Sequence, residues 1–208
     1  MLNAIDRQER PAISDKAEIP QVDETALDRI LADIAGSRGY VSNLMQTLVL
    51  APDGLEPFAR WGAYCRFGTT LTEAQRELVI AIVIRDVRYG WRLHEPLARA
   101  AGITEEQLLL IREGRTPRTL GMAEYALCNY AFEITAGRRI PPRVAEELHA
   151  HFNARQIVDA AMLTAYYTAF AALAIGLEVS DEPQEALDAE AARQRTRLST
   201  EQSGDGGV

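Results

Sequence analysis

Residues 157–177 read IVDAAMLTAYYTAFAALAIGL: twenty-one positions with a single charge, Asp159, and no proline. The run is too long for a strand and rich in alanine, so a helix is the economical reading. A helix apolar on every side has no wet face to offer, so it must lie at the centre of a fold or in a subunit interface. Asp159, two threonines and two tyrosines argue against a membrane span. The rest of the chain therefore has to supply helices that wrap this one.

It does so in order. DETALDRILADIAG starts at a capping Asp23, sets Leu27, Ile30, Leu31 and Ile34 on one face and ends at Gly36. NLMQTLVLAP and LEPFARWGAYCRFG read as short helices separated by Pro52-Asp53-Gly54. LTEAQRELVIAIVIRDVR has Thr72 as its N-cap and acids in its first turn; HEPLARAAG and TEEQLLLIREG end at Gly102 and Gly114. RTLGMAEYALCNYAFEITAG and PPRVAEELHAHF precede the long helix, placed at about 155–177. Neither a strand pattern nor a hairpin turn competes, and the fold class is all-α. Residues 1–22 read as a flexible arm, 23–178 as one helical domain, and 179–208 as an acidic, largely disordered tail in which Pro183 to Leu198 could form a solvated helix.

A chain of 208 residues suits one domain with a sizeable core. Its net charge of −8 speaks against a general nucleic-acid binder. Lys16, the only lysine, lies in the N-terminal arm, which excludes Schiff-base chemistry and a phosphate-binding P-loop. Cys65 and Cys128 form no CxxC pair and no zinc spacing, and the opening residues have no apolar signal segment. A reducing cytoplasm with both thiols free is expected.

Few residues could carry chemistry. Glu77 falls among Ala74, Ile80, Ala81 and Ile84 on its helix, so its carboxylate sits in an apolar stripe. There it needs a partner, either an arginine or a proton, and either outcome suits a general acid or base. His94 shares a face with Trp91, Leu97, Ala98 and Ala101, as a core histidine or a catalyst would. Pro96 is expected to force a kink or a helix start beside it. Arg85, Arg88 and Arg92, at i, i+3, i+7, could grip a carboxylate or simply form ion pairs with Asp86 and Glu95. Tyr89, Trp91 and Tyr166 could wall a pocket, although aromatics at such spacing usually belong to the core. His149 and His151 point to different sides of a helix, which does not suit a metal.

As an ordered set, these segments resemble the carboxymuconolactone decarboxylase family of the AhpD-like superfamily. LTEAQRELVIAIVIR is similar to that family's Arg-Glu-Leu helix, YGWRLHEPLARAAGITEEQL to its Tyr-x-Trp-x-x-His-Glu-Pro segment, and IVDAAMLTAYYTAFAALAIGLEV to its closing helix. The resemblance covers about residues 40–179. It implies a helical subunit assembling into trimers or hexamers, with Glu77 and His94 in the positions of the family's proton-relay Glu and His. It further implies chemistry without metal or organic cofactor on a small, anionic substrate. Two departures stand out. The peroxidase branch's two cysteines are replaced, by Val87 and Gly90 or by Tyr89 and Arg92 depending on register. Gly90 also stands where relatives often carry a glutamate. The expectation is thus a lyase or isomerase, decarboxylase-like, with His94 and Glu77 catalytic and Arg88, Arg92, Tyr89, Trp91 and Tyr166 binding substrate. The alternatives are an oligomeric binding or scaffolding protein that has lost the chemistry, or a residual redox protein using Cys65 or Cys128.

Overall fold

The computed structural model describes residues 24–204, so the expected arm at 1–22 lies outside the described residues. Ten α-helices and one π-helical turn, with no strand among the described residues, make up the fold. The first three, α1 (Glu24–Arg38), α2 (Asn43–Leu48) and α3 (Pro52–Ala63), close a small cluster around Ile34, Met45 and Leu55. Pro52-Asp53-Gly54 does not separate two helices as the sequence suggested. Pro52 is the first residue of α3, where its missing N–H costs nothing, and Asp53 complements the positive helix start.

A π-helical turn, Tyr64–Gly68, follows α3 directly. Next comes α4 (Glu73–Ile84), begun by the Thr72–Gln75 capping box: Gln75 N–H donates to the Thr72 hydroxyl and Thr72 N–H to the Gln75 side chain. Every residue from Glu77 to Ile84 is buried. Three neighbours achieve this: α5 (Arg88–Ala100), α7 (Met122–Thr135) and α9 (Ala154–Gly176), all packed directly on α4. Short α6 (Glu105–Arg112) and α8 (Pro142–His151) buttress α4 and α7.

The long apolar helix is α9. By length and composition it could cross a bilayer, yet it lies against α4 and buries Asp159, Leu163, Tyr166, Tyr167 and Phe170. Asp159 anchors it, accepting from Thr70 N–H at 2.7 Å, the Thr70 hydroxyl at 2.8 Å, Arg155 at 3.0 Å and the Tyr64 hydroxyl.

Two expectations need correction. Pro96 neither starts nor ends a helix: α5 runs from Arg88 through it to Ala100, because the proline removes one backbone bond while the flanking turns stay paired. The C-terminal segment is not a disordered tail across 184–204. It forms α10 (Gln184–Gly204), which packs on α5. Leu187, Glu190, Ala191 and Gln194, at intervals of three and four, are buried on its inner face. Half of that stripe is polar, so it carries no hydrophobic signature.

Candidate active site

Glu77 meets His94 between α4 and α5. Nδ1 of His94 lies 3.1 Å from a carboxylate oxygen of Glu77, and the two side chains are each 2% exposed. The carboxylate in the apolar stripe thus finds an imidazole and not an arginine. An ionised carboxylate only accepts hydrogen bonds, so against an ionised Glu77 the ring proton would stand on Nδ1 and Nε2 would be the bare nitrogen. The ring is packed edge-on to Tyr167, with centroids 5.0 Å apart, and to Phe170 at 6.5 Å. One helix therefore supplies the orienting acid, a second the imidazole, and α9 the aromatic wall.

Gly90 explains the departure from the expected thiol or glutamate at its position. A Cβ added there would lie 3.1 Å from Cβ of Ile84 and 3.4 Å from the Phe170 ring. A side chain at this position would need Ile84 to give way by a few tenths of an ångström. Neither cysteine fills the gap: Cys65 and Cys128 are both buried. Burial, and then the nearby Glu124 carboxylate, push the Cys128 thiol far above its ordinary range, away from the reactive thiolate.

The residues expected to bind substrate do not converge on His94. Arg88 and Arg92 both reach Asp181, at 2.6 and 2.7 Å, and the Arg88 side chain is 81% exposed. At about 100° per residue, Arg92 lies on the far side of α5 from His94. Arg85 pairs with Asp86 at 3.3 Å and caps the Ile82 carbonyl. The Tyr89 hydroxyl donates to Glu182 at 2.6 Å, and burial, followed by this carboxylate, raises its pKa well above the usual phenol value. Trp91 donates to Glu95 at 3.1 Å beneath the Arg112 guanidinium. Tyr166 is stacked on Phe58 and meets Trp61 edge-on. Tyr166, in contact with Tyr167, and Tyr89, stacked on Phe170 with centroids 5.8 Å apart, adjoin the aromatic wall around His94. His149 and His151 are exposed on α8.

Arg66, which the sequence reading passed over, is the cation on the inner side. It sits in the π-helical turn, 7% exposed, with its guanidinium 2.9 Å from Glu190 of α10. Burial opposes its charge, but Glu190, Tyr167, Glu77 and Glu73 outweigh that cost and raise its pKa. Two of these, Glu77 and Tyr167, are the immediate neighbours of His94. The available signal was the π turn itself, a device found disproportionately at functional sites, but it has no sequence mark.

Among the described residues this is an all-helical fold whose central helix pair carries a buried acid–imidazole dyad. Among solved structures, an uncharacterized peroxidase-related protein from Silicibacter sp. TM1040 superposes with a TM-score of 0.69 at 18% identity, covering 87% of this chain and 97% of that one. An AhpD-core, peroxidase-related protein from Ralstonia eutropha JMP134 gives 0.67 at 18% identity, over 82% and 92%. The debrominase Bmp8, as a variant in complex with 2,3,4-tribromopyrrole, gives 0.65 at 14% identity, over 86% and 98%. No protein-family model matches the sequence, and no curated protein matches it significantly. The chain has the AhpD-like fold.

Proposed function

We propose that this protein is a carboxymuconolactone decarboxylase-like lyase or isomerase that works without a cofactor on a small carboxylate or lactone. The observation that carries this reading is the buried contact of Glu77 with His94 at 3.1 Å. Glu77 fixes the imidazole's tautomer and balances the imidazolium that forms during turnover. Nε2 of His94 then moves a proton to or from carbon. In a decarboxylation the carbon–carboxylate bond breaks, its electron pair enters an adjacent carbonyl as an enolate, carbon dioxide departs, and His94, which has taken a proton from solvent onto Nε2, gives it to the carbanionic carbon. A desolvated site strengthens each of these electrostatic interactions.

The test is a screen of lactones and β-keto acids for carbon dioxide release or solvent-proton exchange. We expect turnover that falls at least about a hundredfold in His94→Ala, the typical contribution of general acid–base catalysis. Turnover indifferent to that substitution would end the proposal.

A second reading, an oligomeric binding or scaffolding protein, draws on the near-complete burial of His94. It predicts no turnover with any member of the screen. Thiol chemistry of the kind suggested by the peroxidase-related neighbours has less support, since both cysteines are buried and 63 positions apart. We further propose that the protein forms a homo-oligomer through the outer face of α9.

A further inference from the structure

We propose that Arg66 is the carboxylate-binding residue of this site, and that Glu190 of α10 occupies it as an internal substitute which the substrate's carboxylate displaces. The inference rests on the acid–base reading above for its location and adds to it the anchor and the gate.

Four observations carry it. First, Arg66 is a nearly buried guanidinium projecting from a π-helical turn, and its principal partner, Glu190, comes from a helix 124 positions away. An arginine–carboxylate contact at 2.9 Å is what a substrate carboxylate would make. Second, Glu77 and Tyr167, the neighbours of His94, are among the groups whose charge acts on Arg66.

Third, α10 is held down largely by polar contacts. Glu190 also accepts from the Tyr40 hydroxyl at 2.9 Å, Arg197 pairs with Glu73 at 2.7 Å, and Gln194 donates to the Leu97 carbonyl at 2.8 Å. Leu187 and Ala191 are the fully buried apolar side chains on its inner face. Polar contacts of this kind exchange for water at small net cost, unlike the apolar seam of α9. Such an interface opens without unfolding the domain.

Fourth, a cleft of about 200 Å³ lined by Arg66, Phe67, Glu190, Gln194 and Arg197 reaches the pair from outside. Gln194, one of the residues lining it, has a side-chain oxygen that is buried with no hydrogen-bond partner. An orphaned acceptor on a residue that shares this cleft with Arg66 suits a ligand that has a hydroxyl or N–H donor as well as its carboxylate. The ligand class is therefore a small carboxylate bearing a hydrogen-bond donor, of a size near that of a hydroxy acid.

The experiment measures binding, not turnover, on the full-length protein by titration calorimetry. The probes are 3-hydroxybutyrate and, as an uncharged control, its amide. Glu190→Ala removes the internal carboxylate and is expected to bind 3-hydroxybutyrate at least about tenfold tighter than the parent. Adding Arg66→Gln to Glu190→Ala is expected to abolish that gain, while adding Arg66→Lys retains part of it; the amide is expected to bind none of the variants measurably. Amide hydrogen exchange provides a second readout: 3-hydroxybutyrate should speed exchange across 184–200 in the parent and leave α7 unchanged. If Arg66→Gln unfolds the protein, the Arg66→Lys comparison and the exchange pattern still decide. Equal affinity in parent and Glu190→Ala, or unchanged exchange in α10, overturns the proposal. Tight carboxylate binding through Arg66 without proton exchange in any substrate would sink the acid–base reading and leave this site standing. Turnover insensitive to Arg66 would do the reverse.

Discussion

Glu77 and His94 are seventeen positions apart in sequence and 3.1 Å apart in space, each held out of water by the helix that carries the other. A buried pair of this kind is worth less than it looks, because both groups were better solvated in the unfolded chain. Removing one partner is a different matter, since it strands the other.

The first prediction concerns that asymmetry. His94→Leu, which strands the Glu77 carboxylate, is expected to lower unfolding free energy by about 3–5 kcal/mol, and Glu77→Leu, which strands a neutral imidazole N–H, by about 1–3 kcal/mol. The double variant is expected to be more stable than either single one. Urea denaturation of the four proteins closes the cycle. Additive losses would mean that the two side chains do not act on each other in the folded state.

Gly90 makes a steric prediction. Alanine at this position gains helix propensity but pushes on Ile84 and Phe170, both in the core. We expect Gly90→Ala to lose about 1 kcal/mol net, a melting shift of a few degrees. Gly90→Glu should lose several times more, because it must place a carboxylate in the same gap. A tolerated Gly90→Glu would show that α5 stands further from α4 than the structure has it.

These two cases also mark how far the sequence could be read. The all-helical class, the Thr72–Gln75 cap, the central placing of α9 and the need of Glu77 for a partner all follow from periodicity and residue chemistry. Arg66 and α10 do not. A helix docked by Glu190, Gln194 and Arg197 has the same composition as a solvated one, and its partners, Arg66, Leu97 and Glu73, lie 97 to 124 positions away. Hydrogen bonds over such separations leave no periodic trace. Arg88 and Arg92 failed to reach His94 for a related reason: regular spacing shows that they share a face but not what that face meets, which is Asp181.

The pH dependence follows from Asp159. Burial alone would raise its pKa, but hydrogen bonds from Tyr64, Thr70 and Arg155 win and lower it below the ordinary carboxylate value near 3.8. A carboxyl with a depressed folded-state pKa adds stability that is present above its unfolded pKa and is lost as pH falls toward the folded one. Stability should therefore decline from about pH 4 downward. Asp159→Asn should be less stable than the parent at pH 7 and show a shallower decline between about pH 5 and 3. Glu182, raised chiefly by burial, works in the opposite sense: its contribution is greatest in acid and fades as pH rises. Denaturation midpoints across that range, with Glu182→Gln beside Asp159→Asn, separate the two signs.

Both thiols should be silent in the folded protein. Cys65 and Cys128 are each 0% exposed, and burial holds the Cys128 thiol far above its ordinary range. Labelling with an aromatic disulfide reagent is expected to proceed no faster than unfolding, and millimolar peroxide should leave both masses unchanged. Rapid oxidation of either cysteine in the native state would restore the redox reading and displace the acid–base one.

The outer face of α9 bears on assembly. Val158, Met162, Ala165, Ala172 and Ile175 recur at intervals of three, four and seven without a charge among them, and Val158 and Ile175 are 53% and 63% exposed. An uncharged stripe of this spacing, with small residues between the larger ones, fits against a second copy of the same helix, as coiled-coil seams do. Ile175→Glu and Val158→Glu, each exposed in the single subunit, should leave its helicity and melting of the isolated fold little changed. In sedimentation velocity they should shift the protein toward smaller species, and the double variant more than either alone. If the parent already sediments as a monomer at micromolar concentration, or the variants sediment as the parent does, this face does not join the subunits.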